Sequence, residues 1–263
     1  MLFNSYEFVL GFLPITVLGF FWLAHRRSSG RGQPSAMLWL VATSIFFYAW
    51  WSPKYTALLI ASIGANYACG LAIARARDRA YAKKLVTGAI VGNLCLLSYY
   101  KYANFFISTI AAVSGTSFGA LDILLPIGIS FFTFTQIAFL VDVYCKKAQE
   151  YDFIQYMLFV TYFPHLIAGP ILHHKEMMPQ FGAPETYRFR RSNFAIGITI
   201  FIIGLAKKVF LADGFAGWAS PIFDSVDAGF RPGFAVAWIG ALAYTFQLYF
   251  DFSGYSDMAI GLS

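Results

Sequence analysis

Residues 8–24 run for seventeen apolar or small positions before His25, Arg26 and Arg27 close the stretch, and comparable runs recur at 36–51, 55–74, 85–100, 123–145, 194–212 and 233–250. Seventeen residues of helix reach about 25 Å, close to the ~30 Å thickness of a bilayer's hydrocarbon core. Lipid offers nothing to a backbone amide, so repeated runs of this kind can cross it only as helices or as a closed barrel. Their length selects helices. The chain therefore reads as an all-α, polytopic transmembrane protein, a single transmembrane domain over 1–263. Charged residues make up 12% of it, about half the ~25% of a soluble domain. The net charge of +6 is accordingly read through its distribution among loops, and nucleic acid is excluded as a partner because the aromatic residues sit inside apolar runs. Cys69, Cys95 and Cys145 are odd in number and form no CxxC, so neither a disulfide framework nor a zinc site is expected. MLFNSYE lacks a basic n-region, which makes 8–24 a retained anchor instead of a cleaved signal.

One apolar stretch breaks the pattern. Residues 153–174 carry Pro164, the Gly169-Pro170 pair, His165 and the adjacent His173 and His174. Proline removes a backbone donor and clashes with the preceding turn, so this cannot be one plain helix. Irregular backbone at membrane depth survives only where protein buries it or where it lines a wet cavity. Loop charges point the same way. The cations of 26–31 and 75–84 belong on the cytoplasmic side, the cation-free loop from Ser114 lies outside, and Lys146-Lys147 returns inside. A full crossing by 153–174 would then place Lys175, Arg188, Arg190 and Arg191 outside, against the rule. A re-entrant segment, entering and leaving on the cytoplasmic side, removes the conflict. After 85–100, the stretch 102–113 either continues the same helix or folds back past Lys101. Residues 213–232, with three acids and one arginine, read as a connection.

Polar groups inside apolar runs are the candidates for chemistry. His165, amid Phe163, Leu166 and Ile167, is either a hydrogen-bonded packing histidine or a participant in the reaction. His173 and His174 point apart and lack a completing carboxylate, so no metal is expected. Lys207 and Lys208 stand about 100° apart on a helix and cannot share a face. They either snorkel to the interface or bind an anionic donor. Asp142 could pair with Lys146 four residues on. In FQLYFDFSGYSDMAIG, Asp251 and Tyr255, and likewise Ser253 and Asp257, are spaced to share a helical face, with Gly254 between them allowing close approach. A polar cavity wall and an interfacial turn both account for that spacing.

Four blocks in order, LPIGISFFTFTQIAFLVDVY (125–144), YFPHLIAGPILHHKEMMPQF (162–181), GLAKKVFLAD (204–213) and FQLYFDFSGYSDMAIGLS (246–263), resemble the membrane-bound O-acyltransferase family, in the branch of the alginate O-acetyltransferase type. The opening MLFNSYEFVLGFLP fits that branch too. The resemblance implies a funnel of helices with a thin floor, an acyl donor such as acetyl-CoA arriving as substrate from the cytoplasmic side, and an acceptor hydroxyl on an exported polysaccharide or a periplasmic acetyltransferase partner. It implies the bacterial inner membrane, with lipid as surroundings and no bound cofactor. By motif position, Pro164, His165, Gly169, Pro170 and Gln180 would help build the funnel, and Asp251, Ser253, Tyr255 and Asp257 would form the polar stretch beside it.

The resemblance also implies a catalytic histidine in a Trp-His element, and no Trp-His pair occurs in this chain. No catalytic residue is therefore assigned within 1–263. The funnel is expected to be incomplete at its carboxy-terminal side, and the segment inactive by itself. A transporter using the broken helix and intramembrane acids would be a rival class, but such proteins often carry internal repeats and none is visible here. A non-catalytic membrane scaffold is the third reading.

Overall fold

The structure is a computed structural model that describes residues 1–26, 33–116, 119, 121–147, 152–167 and 174–263, the backbone alone for 26 and 174–176. Among these residues every regular element is helical. In order they are α1 (Leu13–Arg26), α2 (Pro34–Ala49), α3 (Pro53–Arg75), α4 (Arg79–Ser114), α5 (Ile129–Tyr144), α6 (Phe153–Thr161), α7 (Phe163–Leu166), α8 (His174–Gly182), α9 (Arg191–Ala206), α10 (Asp213–Asp227) and α11 (Phe234–Leu262). A π-helical turn, Glu7–Phe12, leads into α1, and a second, Lys207–Ala212, joins α9 to α10. Four stretches among the described residues are long and apolar enough to cross a membrane: Glu7–His25, Pro53–Arg75, Arg79–Ser114 and Arg191–Asp227. The protein is thus an all-α, multi-pass membrane protein. The last expected span, 233–250, lies in α11, which has the length but carries Gln247 and Asp251 and is not one of the four.

Chain contacts divide the molecule into two compact units. The first runs, among described residues, from Met1 to Arg26 and from Tyr187 to Ser263; the second holds α2 to α8.

In the second unit α4 is one continuous helix of 36 residues, about 54 Å long, so 102–113 continues the span past Lys101. Asp78 starts it by accepting from the Ala80 and Tyr81 amides at 3.0 and 3.2 Å, satisfying donors that have no partner inside the helix. Ala82 and Val86 pack on Ile73 of α3 and Leu140 of α5. Deeper along the same helices, Asn66 and Asn93 exchange amide hydrogen bonds at 3.1 and 2.6 Å. The chain of polar contacts continues from Gln136 to Ser62 at 3.1 Å and from Tyr156 to Gln136 at 3.4 Å, tying α3, α4, α5 and α6 together. Interhelical amide bonds of this kind contribute about 0.6–2 kcal/mol in lipid, and leaving one partner unpaired adds its desolvation cost. Asn93→Leu is expected to destabilise the protein by about 1–2 kcal/mol, and Asn66→Leu/Asn93→Leu to cost less than the two single changes added together. Thermal unfolding in detergent provides the measurement, and strict additivity would count against a reciprocal pair.

In the first unit α9 and α11 run antiparallel and touch backbone to backbone. A Cβ built on Gly197 would lie 2.6 Å from the Gly261 carbonyl, and one on Gly204 would lie 2.6 Å from the Gly254 carbonyl. Two glycines seven residues apart on each helix thus form one seam, the close approach small residues permit in membranes. α10 packs along α11 as well, with Ile222 against Gly240 and Phe215 ringed by Phe246 and Phe250 at 5.3 and 6.0 Å. This apolar face explains why 213–227, expected as part of a connection, is helical and continuous with α9. Its acids, Asp213, Asp224 and Asp227, are exposed.

Candidate functional site

The expected break in 153–174 is present. α6 has nine residues, about 13 Å, too short to cross a bilayer. It stops at Tyr162 (φ −51°, ψ 109°), and the chain restarts as the single turn α7. Pro164 sits in that first turn, where its missing N–H takes nothing from the helix. The break is held by side chains. Ser44 of α2 accepts the Phe163 amide at 3.2 Å, which leaves the Phe159 carbonyl without its normal helical donor. His165 supplies one: its Nε2–H donates to that carbonyl at 3.1 Å. The imidazole is buried, and among the described residues nothing donates to Nδ1. Gly128 (φ +71°) lies under α7, and a Cβ there would meet the Leu166 carbonyl at 2.7 Å, so glycine is required both by conformation and by contact. Gln180 is exposed on α8, where its carbonyl accepts from Thr186 Oγ1 at 2.7 Å. Gly169, Pro170 and His173 lie outside the described residues, as does the side chain of His174.

The polar residues of the first unit form a different cluster. Asp251, Ser253, Tyr255 and Asp257 all lie within α11, which rules out the interfacial turn. Lys207 Nζ sits 2.6 Å from Asp257 Oδ2 and donates to Ser253 Oγ at 3.1 Å. Lys208 Nζ bridges Asp213 Oδ1 at 2.7 Å and Asp251 Oδ1 at 2.9 Å. Tyr255 stacks on Phe3 with ring centroids 4.6 Å apart.

Lys207 and Lys208, expected from their spacing not to share a face, both reach carboxylates on α11. Two features make the pairing possible. The π-helical turn begins at Lys207 and changes the angular spacing an α-helix would impose. The Gly204–Gly254 contact, one turn away, brings α11 so near that both ammonium groups reach carboxylates on it. The sequence leaves Lys207 and Lys208 between snorkelling and donor binding, and gives Asp213 no site role. The available signal was the presence of opposite charges in separate apolar segments, which need one another at membrane depth.

The ion network has two cations and three carboxylates. Asp251 and Asp213 remain about half exposed, whereas Lys207 and Asp257 are mostly covered. Fixed donors and half-open carboxylates of this kind can hold hydroxyl-bearing groups in place. Pro164 and His165 belong to the second unit.

Comparison with known proteins bears on both places. The family model for the membrane-bound O-acyltransferase family matches residues 144–263, a stretch that contains α6 to α11. Over its whole length the chain is 40% identical to a peptidoglycan O-acetyltransferase of Helicobacter pylori, of which it covers 53%. It is 43% identical to the probable alginate O-acetylases of Pseudomonas aeruginosa and Azotobacter vinelandii, covering 49% and 51% of them. The chain thus spans about half the length of these relatives. With the broken helix, the apolar spans and the four ordered blocks already in place, the chain belongs to the membrane-bound O-acyltransferase family.

Proposed function

We propose that the chain supplies part of a membrane O-acetyltransferase that modifies an exported polysaccharide. Similarity to acetylases of alginate and peptidoglycan along every part of the chain carries this reading. The acetyl group comes from acetyl-CoA or a similar cytoplasmic donor and leaves on a hydroxyl of the polymer, or on a periplasmic acetyltransferase partner, across the bacterial inner membrane. Asp251, Ser253, Tyr255 and Asp257 line the path of the polar groups. Pro164, His165, Gly169, Pro170 and Gln180 shape the funnel wall.

An acceptor hydroxyl is un-ionised at neutral pH, so its attack on an acyl carbon needs a base in place, and general-base assistance typically contributes 10²–10⁴-fold. The base that the family resemblance implies is a histidine in a Trp-His element, which residues 1–263 do not contain. Residues 1–263 alone are therefore proposed not to complete the transfer.

One strain tests both statements. In an alginate producer lacking its O-acetylase, residues 1–263 alone should restore no alginate acetylation. A hybrid in which this chain replaces the matching half of the Pseudomonas aeruginosa protein should restore it. Asp251→Ala in the hybrid should lower acetylation at unchanged membrane abundance. A hybrid that inserts but does not acetylate would overturn the functional reading. Acetylation by residues 1–263 alone would overturn the second statement, and its loss in His165→Ala would then identify His165 as the base.

A further inference from the structure

The turn between α3 and α4 concentrates positive charge. Arg75, Arg77, Arg79, Lys83 and Lys84 are all exposed, and among the described residues none of them forms an ion pair. The single acid of the run, Asp78, directs both carboxylate oxygens to the backbone amides that start α4. On α4 itself, Ala80, Lys83, Lys84 and Thr87 border a shallow, wide-open depression among the described residues. Their spacing, i, i+3, i+4 and i+7, makes one stripe. It faces away from Ala82 and Val86, which are packed on α3 and α5.

The height of the stripe in the membrane follows from the helix. Residues 85–98 carry no charge, and Lys101 follows. Lys84 and Lys101 are seventeen residues apart, about 26 Å, which with side chains extended outward matches a hydrocarbon core of ~30 Å. Tyr99, Tyr100 and Tyr102 surround Lys101, and Tyr81 precedes Lys83, the arrangement of aromatic residues at the two interfaces. Lys83 and Lys84 therefore stand at headgroup depth. Thr87 offers a hydroxyl one turn deeper. The stripe then continues into exposed apolar side chains, Val91 and Leu94. Cations, then a hydroxyl, then an apolar track is the order in which a phospholipid presents its phosphate, its ester-bearing glycerol and its acyl chain.

We propose that this stripe binds an anionic phospholipid, with the phosphodiester over Ala80 and Thr87, flanked by the long side chains of Lys83 on one side and Lys84 on the other, and an acyl chain along Val91 and Leu94. A free phosphate shares the first of these contacts but has nothing to place on the apolar track. Each lysine near an anionic surface contributes about a fivefold increase in affinity.

The test uses the full chain in detergent, mixed with phosphatidylglycerol and phosphatidylcholine, and counts retained lipid by native mass spectrometry. Phosphatidylglycerol should be retained in preference. Lys83→Ala should reduce that preference about fivefold and Lys83→Ala/Lys84→Ala about 30-fold. Lys101→Ala, at the other end of the span, should leave it unchanged. Glycerol 3-phosphate at matched ionic strength should not displace the lipid. Equal retention of the two lipids, or a preference that survives the double substitution, would overturn the proposal. Displacement by glycerol 3-phosphate would also overturn it, because the ligand would then be a soluble phosphate.

Discussion

Gly204→Val should leave little folded protein to recover from membranes, and Gly204→Ala should already cost about 1–3 kcal/mol. A Cβ at this position would come within 2.6 Å of the Gly254 carbonyl, 2.7 Å of the Met258 amide and 2.9 Å of Asp257 Cβ. The first two are backbone atoms in a helix, so they have no rotamer to yield with; α9 and α11 would have to separate. Separation would also pull Lys207 and Lys208 from their carboxylates, so packing and charge pairing would fail together. Gly64→Ala and Gly88→Ala are the matched controls, since a Cβ at either meets nothing within 4 Å. Alanine there should be neutral or stabilising by up to about 1 kcal/mol, from helix propensity alone. Fluorescence-detected size exclusion after heating would rank the four variants. Equal behaviour of Gly204→Ala and Gly88→Ala would show that the seam carries no strain.

The parts of the fold that could be read from sequence are those that depend on near neighbours. Apolar runs marked helices, Pro164 marked the break, and the four-residue spacing of Ser253 and Asp257 placed them on one helical face. Where the outcome depended on a second helix, sequence spacing misled. Lys207 and Lys208 were separated by an ideal α-helical angle, but a π-helical turn and a glycine contact with a residue fifty positions away decide where they point. Residues 213–227 look like a connection because of their acids, and they are helical because Phe215 and Ile222 find α11 to pack on. The Asn66–Asn93 pair was not singled out for the same reason. Each asparagine by itself is an ordinary polar interruption, and only their meeting across 27 residues gives them meaning.

Lys207→Met should destabilise the protein by about 1–3 kcal/mol. Exposed ion pairs are worth up to about 1 kcal/mol and the loss of one partner of a buried pair about 3–5; this pair, with side chains 32% and 26% exposed, falls between. The cost comes chiefly from Asp257, left with a carboxylate beside apolar helix surface and no cation. Reversing the pair in Lys207→Asp/Asp257→Lys should recover more than half of the loss in thermal unfolding experiments, although the shorter aspartate at 207 will not reach Ser253. A reversed pair no more stable than Lys207→Met would mean that the two charges do not act on one another. High salt should weaken the effect only slightly, because screening acts least on covered pairs.

The way the break before α7 is closed also settles where a proton can sit. With Nε2–H committed to the Phe159 carbonyl, His165 is held in one tautomer, and the ring cannot turn over without uncapping α6. Its basic lone pair is therefore always on Nδ1. Whatever hydroxyl or water approaches this histidine must come from the Nδ1 side, and a substitution at Ser44, on another helix, would change the direction in which the ring offers that lone pair by returning the Phe163 amide to its own helix.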